Sequence, residues 1–249
     1  VSIRFGSAQN ITSHTVQGTH SQFPSFPLTM SIWFYSNRTA GREPLLSFRC
    51  TDFEADGEPF ELSLSILSNA TTTNRRVEAV VYNLDNGSVR AQTATGAGAG
   101  WSTNSWVHAA GTFESNVRKP YLNGQSGASS TILISNPSEF TSDPSVGLNM
   151  SVGSIPANPG HDGAGQQVSM AEAAIWNTVL QKDEIFALSR GVKPKTVRPD
   201  SLIFYSPLVR GNSEFVSEET GNCPEFIAYS TINPFTPSYG LVDHPRRYG

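Results

Sequence analysis

Ser105-Trp-Val-His-Ala-Ala-Gly-Thr-Phe113, a short polar break, and Lys119-Pro-Tyr-Leu-Asn-Gly124 form the stretch whose reading decides the fold. Side chains alternate across a strand, so Trp106, His108, Ala110 and Thr112 share one face while Val107, Ala109, Gly111 and Phe113 share the other. Both faces are largely apolar. That predicts a central strand of a two-layer sandwich, not a strand open to water on one side. Asn123-Gly124 tolerates the positive φ angles of a two-residue turn, so the Tyr121-Leu122 strand is expected to turn back there.

Working outward, the periodicity predicts further strands over residues 2–5, 28–35, 44–50, 60–66, 77–82, 89–93, 131–135 and 149–155. Residues 60–66 alternate most cleanly, with Phe60, Leu62, Leu64 and Ile66 inward and Glu61, Ser63 and Ser65 outward. The polar segment through residue 22 reads as a surface loop, as do the Gly-rich run before Trp101 and the Pro- and Gly-rich residues 156–165. One helix is predicted over residues 181–190, with Asp183 and Glu184 opposing the dipole in its first turn and Gly191 placed to end it. Pro194 and Pro199 mark a linker. Residues 202–208 then return as a strand that Pro207 confines to an edge or ends. Trp33, Trp106 and Trp176, all on strands, are expected in the core.

Composition narrows the function. The chain has 249 residues, of which 15% are charged, and a formal net charge of -4. Binding nucleic acid requires a basic stripe to neutralise phosphates, and none is present. No apolar run approaches the ~20 residues that span a bilayer, and the amino end opens on a strand without a signal-peptide core. Two cysteines, Cys50 and Cys223, are too few for a disulfide framework, and both are expected to be buried free thiols. No P-loop, serine elbow or His/Cys metal spacing occurs.

The Trp-Val-His strand with its Tyr-Leu-Asn-Gly turn resembles the concanavalin A-like lectin/glucanase superfamily, in its laminin G-like and pentraxin-like branch. Val168-Ser-Met-Ala-Glu-Ala-Ala-Ile-Trp-Asn-Thr-Val-Leu-Gln-Lys-Asp-Glu-Ile185 is similar to the strand and short helix that close such domains. Ile3-Arg-Phe-Gly6 and Met30-Ser-Ile-Trp-Phe34 extend the resemblance over the first 190 residues or so. It implies an all-β, two-sheet antiparallel jelly-roll sandwich with one short helix. It also implies that residues 202–208 pair beside the first strand, which makes residues 1–231 one domain followed by an arm over residues 232–249. The fold leaves the activity open, because one fold hosts many activities.

Three kinds of site follow. Glu54-Ala-Asp56-Gly-Glu58 resembles the E-x-D-x-E catalytic strand of laminarinase-type glucanases, but Asp56-Gly57 invites a turn, and retaining hydrolysis needs carboxyls ~5 Å apart on a rigid backbone. An acidic loop is the expected reading, and the chain is expected not to be an enzyme. Calcium is the one cofactor the resemblance implies, with Asp52, Asp56, Glu58 and Asp162 as its candidate ligands, although they supply only part of the six to eight oxygens it requires. Trp101, His161 and Tyr239 are the candidate glycan contacts, since a flat ring stacks on a sugar face. For Trp101, structural packing is the favoured alternative.

The arm carries Phe235, Tyr239, Leu241 and Tyr248 among three prolines and is expected to bind a partner chain. Its Leu241-Val-Asp-His-Pro-Arg246, following the Leu202-Ile-Phe-Tyr-Ser-Pro-Leu208 strand, is similar to laminin G-like proteins carried by tailed phages. The implied function is non-catalytic recognition or structural cladding at a virion surface, as a decoration or fibre-associated protein that binds a surface glycan or a shell protein and forms homo-oligomers. The alternatives are a free extracellular glycan-binding module and a β-glucanase.

Overall fold

The computed structural model describes residues 3–5, 14–18, 26–37, 41–50, 61–68, 75–83, 87–93, 100–131, 148–152, 168–208 and 227–229. Within them two antiparallel seven-stranded sheets face one another. The first runs β1 (Ile3–Phe5), β12 (Val168–Trp176), β3 (Leu28–Ser36), β8 (Trp106–Phe113), β9 (Arg118–Leu122) and β10 (Gln125–Ser126), with β13 (Leu202–Ser206) also on β12. The second runs β14 (Ile227–Tyr229), β2 (His14–Gly18), β11 (Leu148–Val152), β4 (Gly41–Cys50), β5 (Glu61–Ser68), β6 (Arg76–Asn83) and β7 (Gly87–Gln92). Residues 202–208, expected to pair beside the first strand, instead follow it along one edge of β12: β1 pairs with Val168 to Met170, and β13 pairs with the same strand from Ala173 onward.

The core follows from alternation. Met30, Ile32 and Phe34 of β3 and Val107, Ala109 and Phe113 of β8 point inward from the first sheet. They meet Leu46 and Phe48 of β4, Leu62, Leu64 and Ile66 of β5, and Val77, Ala79 and Val81 of β6. Register explains the match. Leu46, Leu64 and Ala79 are direct partners across three strands, so one apolar row faces the opposite sheet. Ser63 and Ser65 face away from this row as expected, yet both are fully buried, with their hydroxyls 3.1 Å apart.

A second, smaller core lies on the outer face of the first sheet. Helix α1 (Lys182–Ser189) lays Ile185 and Leu188 over Ala110, Tyr121, Ala174 and Trp176. Its start is held by the Gln181 amide, which donates to Glu184 Oε2 at 2.6 Å. Its end is a Schellman motif. Gly191, at φ 90°, donates to Leu188 O at 3.0 Å, and Val192 donates to Ala187 O at 3.1 Å. The chain then folds back over the sheet through two 3-10 turns, Pro194–Thr196 and Pro199–Ser201. Trp176 locks this segment by donating its Nε1–H to Val197 O at 2.7 Å.

Two expectations are corrected. The segment read as a loop through residue 22 contains β2, whose backbone is paired on both sides, Val16 to Met150 and to Ala228; ladder partners outweigh its modest apolar content. Trp33 and Trp106 are half-buried and Trp176 alone of the three is in a core, because α1 covers only the half of the sheet around Ala110 and Trp176. The expected strand over residues 131–135 lies outside the described residues beyond Thr131, where the chain shows only an isolated bridge from Ser130 to Arg118. Cys223 and the side chain of Cys50 also lie outside them.

Candidate functional site

The helix-free half of the first sheet's outer face gathers the polar and aromatic groups. β3 and β8 pair in register with Trp33 opposite His108 and Tyr35 opposite Trp106. Alternation therefore puts all four on the outer face. The Trp33 and His108 rings meet edge to face at 5.4 Å, and the Tyr35 and Trp106 rings lie tilted at 6.0 Å. Trp33, Tyr35 and Trp106 are each half-buried. Half-buried rings on rigid strands present apolar surface at little entropic cost.

His108 is fixed by the turn in the deciding stretch. Asn123 and Gly124 adopt φ 48° and 78°, as a two-residue hairpin requires. Asn123 then clamps the strand: its N–H donates to His108 O, and the His108 N–H donates to Asn123 Oδ1, both at 2.9 Å. The His108 ring is wholly buried, with Nε2 2.9 Å from Ser31 Oγ and Nδ1 without a hydrogen-bond partner. Burial pushes the imidazole down to about 3, so the ring is neutral at physiological pH.

Glu172 reaches the same place by a bulge. The pairing of β12 with β3 slips between Ala171 and Ala174, and Glu172 sits there at φ 56°, a left-handed backbone that non-glycine residues adopt at a cost of about 1–2 kcal/mol. Its N–H donates to Pro207 O at 3.2 Å, and Tyr205 donates its hydroxyl to Glu172 Oε2 at 2.8 Å. The carboxylate thus lines a cleft with Ser31, Trp33 and His108, and the far wall is Gly191, Val192 and Pro194. The cleft's volume, about 10 Å³, is room for one water-sized group.

Serine, histidine and glutamate in one cleft invite comparison with a hydrolytic relay, and the geometry departs from one. Such a relay orients its histidine through an acid on Nδ1, and Nδ1 of His108 has no partner. A base held near 3 also takes a proton poorly from a serine. The arrangement offers hydrogen bonds and apolar surface.

The residues singled out in the sequence divide differently. Trp101 is 2% exposed, meets Phe34 edge to face at 5.3 Å, and lies under the Arg75 guanidinium at 5.2 Å. It packs in the core, the alternative favoured from its sequence position, and its ring has no face open to a sugar. His161 and Tyr239, the acidic Asp52, Glu54, Asp56, Glu58 and Asp162, and the arm with Phe235, Leu241 and Tyr248 all lie outside the described residues. Among the described residues no three His, Cys, Asp or Glu side chains are grouped to hold a metal, and no helix is long and apolar enough to cross a membrane. Reasoning from sequence missed Ser31, Glu172 and the outward rings. One signal was present, a glutamate amid apolar residues in Met170-Ala-Glu-Ala-Ala-Ile175.

Comparison with curated proteins finds no match. Among solved structures, a heptameric SAP-like pentraxin from Limulus polyphemus is 10% identical, over 78% of this chain and 83% of that one, with a TM-score of 0.49. The sialidase CBM40 of Ruminococcus gnavus, bound to α2,3-sialyllactose, is 14% identical over 74% of this chain and 98% of its own, TM-score 0.49. Tailspike protein 2 of bacteriophage CBA120 is 11% identical over 81% of this chain, which spans 34% of the tailspike domain solved, TM-score 0.49. The sequence itself is decisive on family. Residues 5–186 of the 249 match a laminin G-like family model, and the chain belongs to the concanavalin A-like lectin/glucanases superfamily.

Proposed function

We propose that this chain is a non-catalytic recognition module that binds glycans through the outer face of its first sheet. The observation that carries the reading is the trio Trp33, Tyr35 and Trp106, half-buried on adjacent paired strands at the half of the sheet that α1 leaves open. Rings at this spacing suit the apolar face of a sugar, and the neighbouring cleft supplies a few convergent polar groups. The carrier we propose, from the resemblance of residues 202–208 and 241–246 to phage laminin G-like proteins, is a virion surface. A free extracellular module is the second reading, and it uses the same face.

A glycan array followed by calorimetric titration of the best ligand tests this. Trp33→Ala is expected to weaken binding about tenfold, the worth of one well-placed aromatic contact. Trp101→Ala is an unsuitable probe, because truncating a core tryptophan costs about 3–5 kcal/mol of stability. Silence across the array, or binding that ignores Trp33→Ala, refutes the platform.

A further inference from the structure

We propose that the aromatic platform receives the end of a glycan chain, with the terminal unit stacked on Trp33 and stopped by the Gly191–Pro194 segment, and the next unit over Tyr35. The proposal rests on the recognition reading above and names the part of a glycan that the site takes. Three observations carry it.

The first is a wall. Gly191 and Val192 close the Schellman end of α1, and Pro194 is buried where the next turn begins, so the segment is continuous with the helix layer that lies on the sheet. A helix with its side chains is about 10–12 Å across, whereas a sugar stacked on a ring sits about 3.5–4 Å above it. The wall therefore stands higher than a stacked sugar. Val192 both lines the cleft beside Trp33 and is 42% exposed, which makes it the lip.

The second is that nothing passes beneath the wall. The gap between it and Trp33 has a volume of about 10 Å³, which admits one water-sized group and no sugar ring. Farther in, Ile185 and Leu188 already cover Ala110 and Trp176. A glycan lying on Trp33 cannot continue in that direction.

The third is the direction of the floor. Trp33 and Tyr35 are two residues apart on β3, so they fall in successive rows about 7 Å apart along the strand, roughly one pyranose unit. In the row nearest the wall Trp33 faces His108, which is wholly buried, and Trp33 is the ring of that pair with surface to offer. In the next row Tyr35 faces Trp106, and both are half-buried. A chain that uses both Trp33 and Tyr35 runs along β3 toward the wall, and it ends there. A chain crossing parallel to the wall would use Tyr35 and Trp106 and miss Trp33. Since β3 ends at Ser36, one residue past Tyr35, the seat is about two units long.

The experiment uses the full chain and linear β-1,3-glucan, α-1,4-glucan and β-1,4-galactan, each as the disaccharide, the hexasaccharide and a chain of about twenty units. If the array favours another composition, the same three lengths of that glycan are used. Calorimetry gives affinity and stoichiometry. One protein is expected per glycan chain at every length, with affinity changing less than about threefold beyond the disaccharide. Val192→Trp builds the lip out over Trp33 and is expected to weaken every length about tenfold, as Trp33→Ala does. Thermal melts establish that each variant is folded, and the stoichiometry of the unmodified chain decides the matter without them. Several proteins on the twenty-unit chain, or binding that ignores Val192→Trp in the folded variant, overturns end recognition and leaves the platform standing. Binding to no glycan at all overturns the recognition reading and this proposal with it.

Discussion

Acid should destabilise this protein through one imidazole, and substituting it should remove that sensitivity. His108 is wholly buried and its folded-state value is pushed by burial from 6.5 down to about 3. Below pH 6.5 the unfolded chain takes up a proton at this position and the folded chain does not. Stability that is fully present above 6.5 is therefore lost as pH falls, down to the folded value near 3. A pH of 5 lies about 1.5 units below the unfolded-state value of 6.5, and at ~1.36 kcal/mol per unit the loss is about 2 kcal/mol. The assay is urea unfolding at pH 7.5 and pH 5.0, followed by tryptophan fluorescence, on the unmodified chain and on His108→Gln. Every group common to the two proteins cancels in the difference. His108→Gln is less stable at pH 7.5, since it perturbs a buried bond to Ser31, but its loss between the two pH values should be about 2 kcal/mol smaller than that of the unmodified chain. Equal losses would refute the assignment of a buried, neutral imidazole.

Two further outcomes are expected. Gly124→Ala should cost about 3 kcal/mol, the sum of a left-handed backbone and overpacking, because its new Cβ would lie 2.8 Å from Ser189 Oγ and 2.9 Å from the Phe186 Cα. Gly191→Ala meets nothing within 4 Å and should cost only the backbone share, about 1–2 kcal/mol, so a thermal-melt comparison of the pair separates the two causes. Truncation after Thr231 removes the aromatic arm over residues 232–249. If the arm is the assembly device proposed from the sequence, light scattering will find a folded monomer where the full chain associates; unchanged association refutes it.

How far the sequence could be read depended on what kind of information each feature carries. Alternation is local, and it separated the two faces of β3, β5 and β8; for β5 it named the inward side, and Leu62, Leu64 and Ile66 lie in the core between the sheets. Turn chemistry is also local, so Asn123-Gly124 and the helix end at Gly191 were legible. Coverage is not local. Whether the outer face of a sheet is bare, half-covered or packed depends on where a segment far along the chain comes to rest. Trp33, Trp106 and Trp176 look alike in the sequence for that reason. Only the return of residues 180–202 over Trp176 makes that one core and leaves the others half-buried.

The cleft was illegible for a related reason. Its assembly needs a one-residue slip between Ala171 and Ala174, and in the sequence Val168–Trp176 reads as an unbroken apolar strand in which the phase on either side of the slip looks continuous. Without the slip, alternation puts Glu172 on the same face as Met170, pointing into the core between the sheets, where an unpaired carboxylate costs several kcal/mol. With it, Met170 and Ala173 both face the core while Glu172 between them turns toward Tyr205 and the cleft. Glu172 is buried on this side too, but here it accepts from Tyr205, and the left-handed backbone costs less than setting the carboxylate among the apolar rows between the sheets, which makes the glutamate a reason for the bulge. On that argument Glu172→Leu, which removes the reason for the slip, should shift the pairing of β12 toward a regular register and take the carboxylate out of the cleft, with the Tyr205 hydroxyl losing the Oε2 to which it donates.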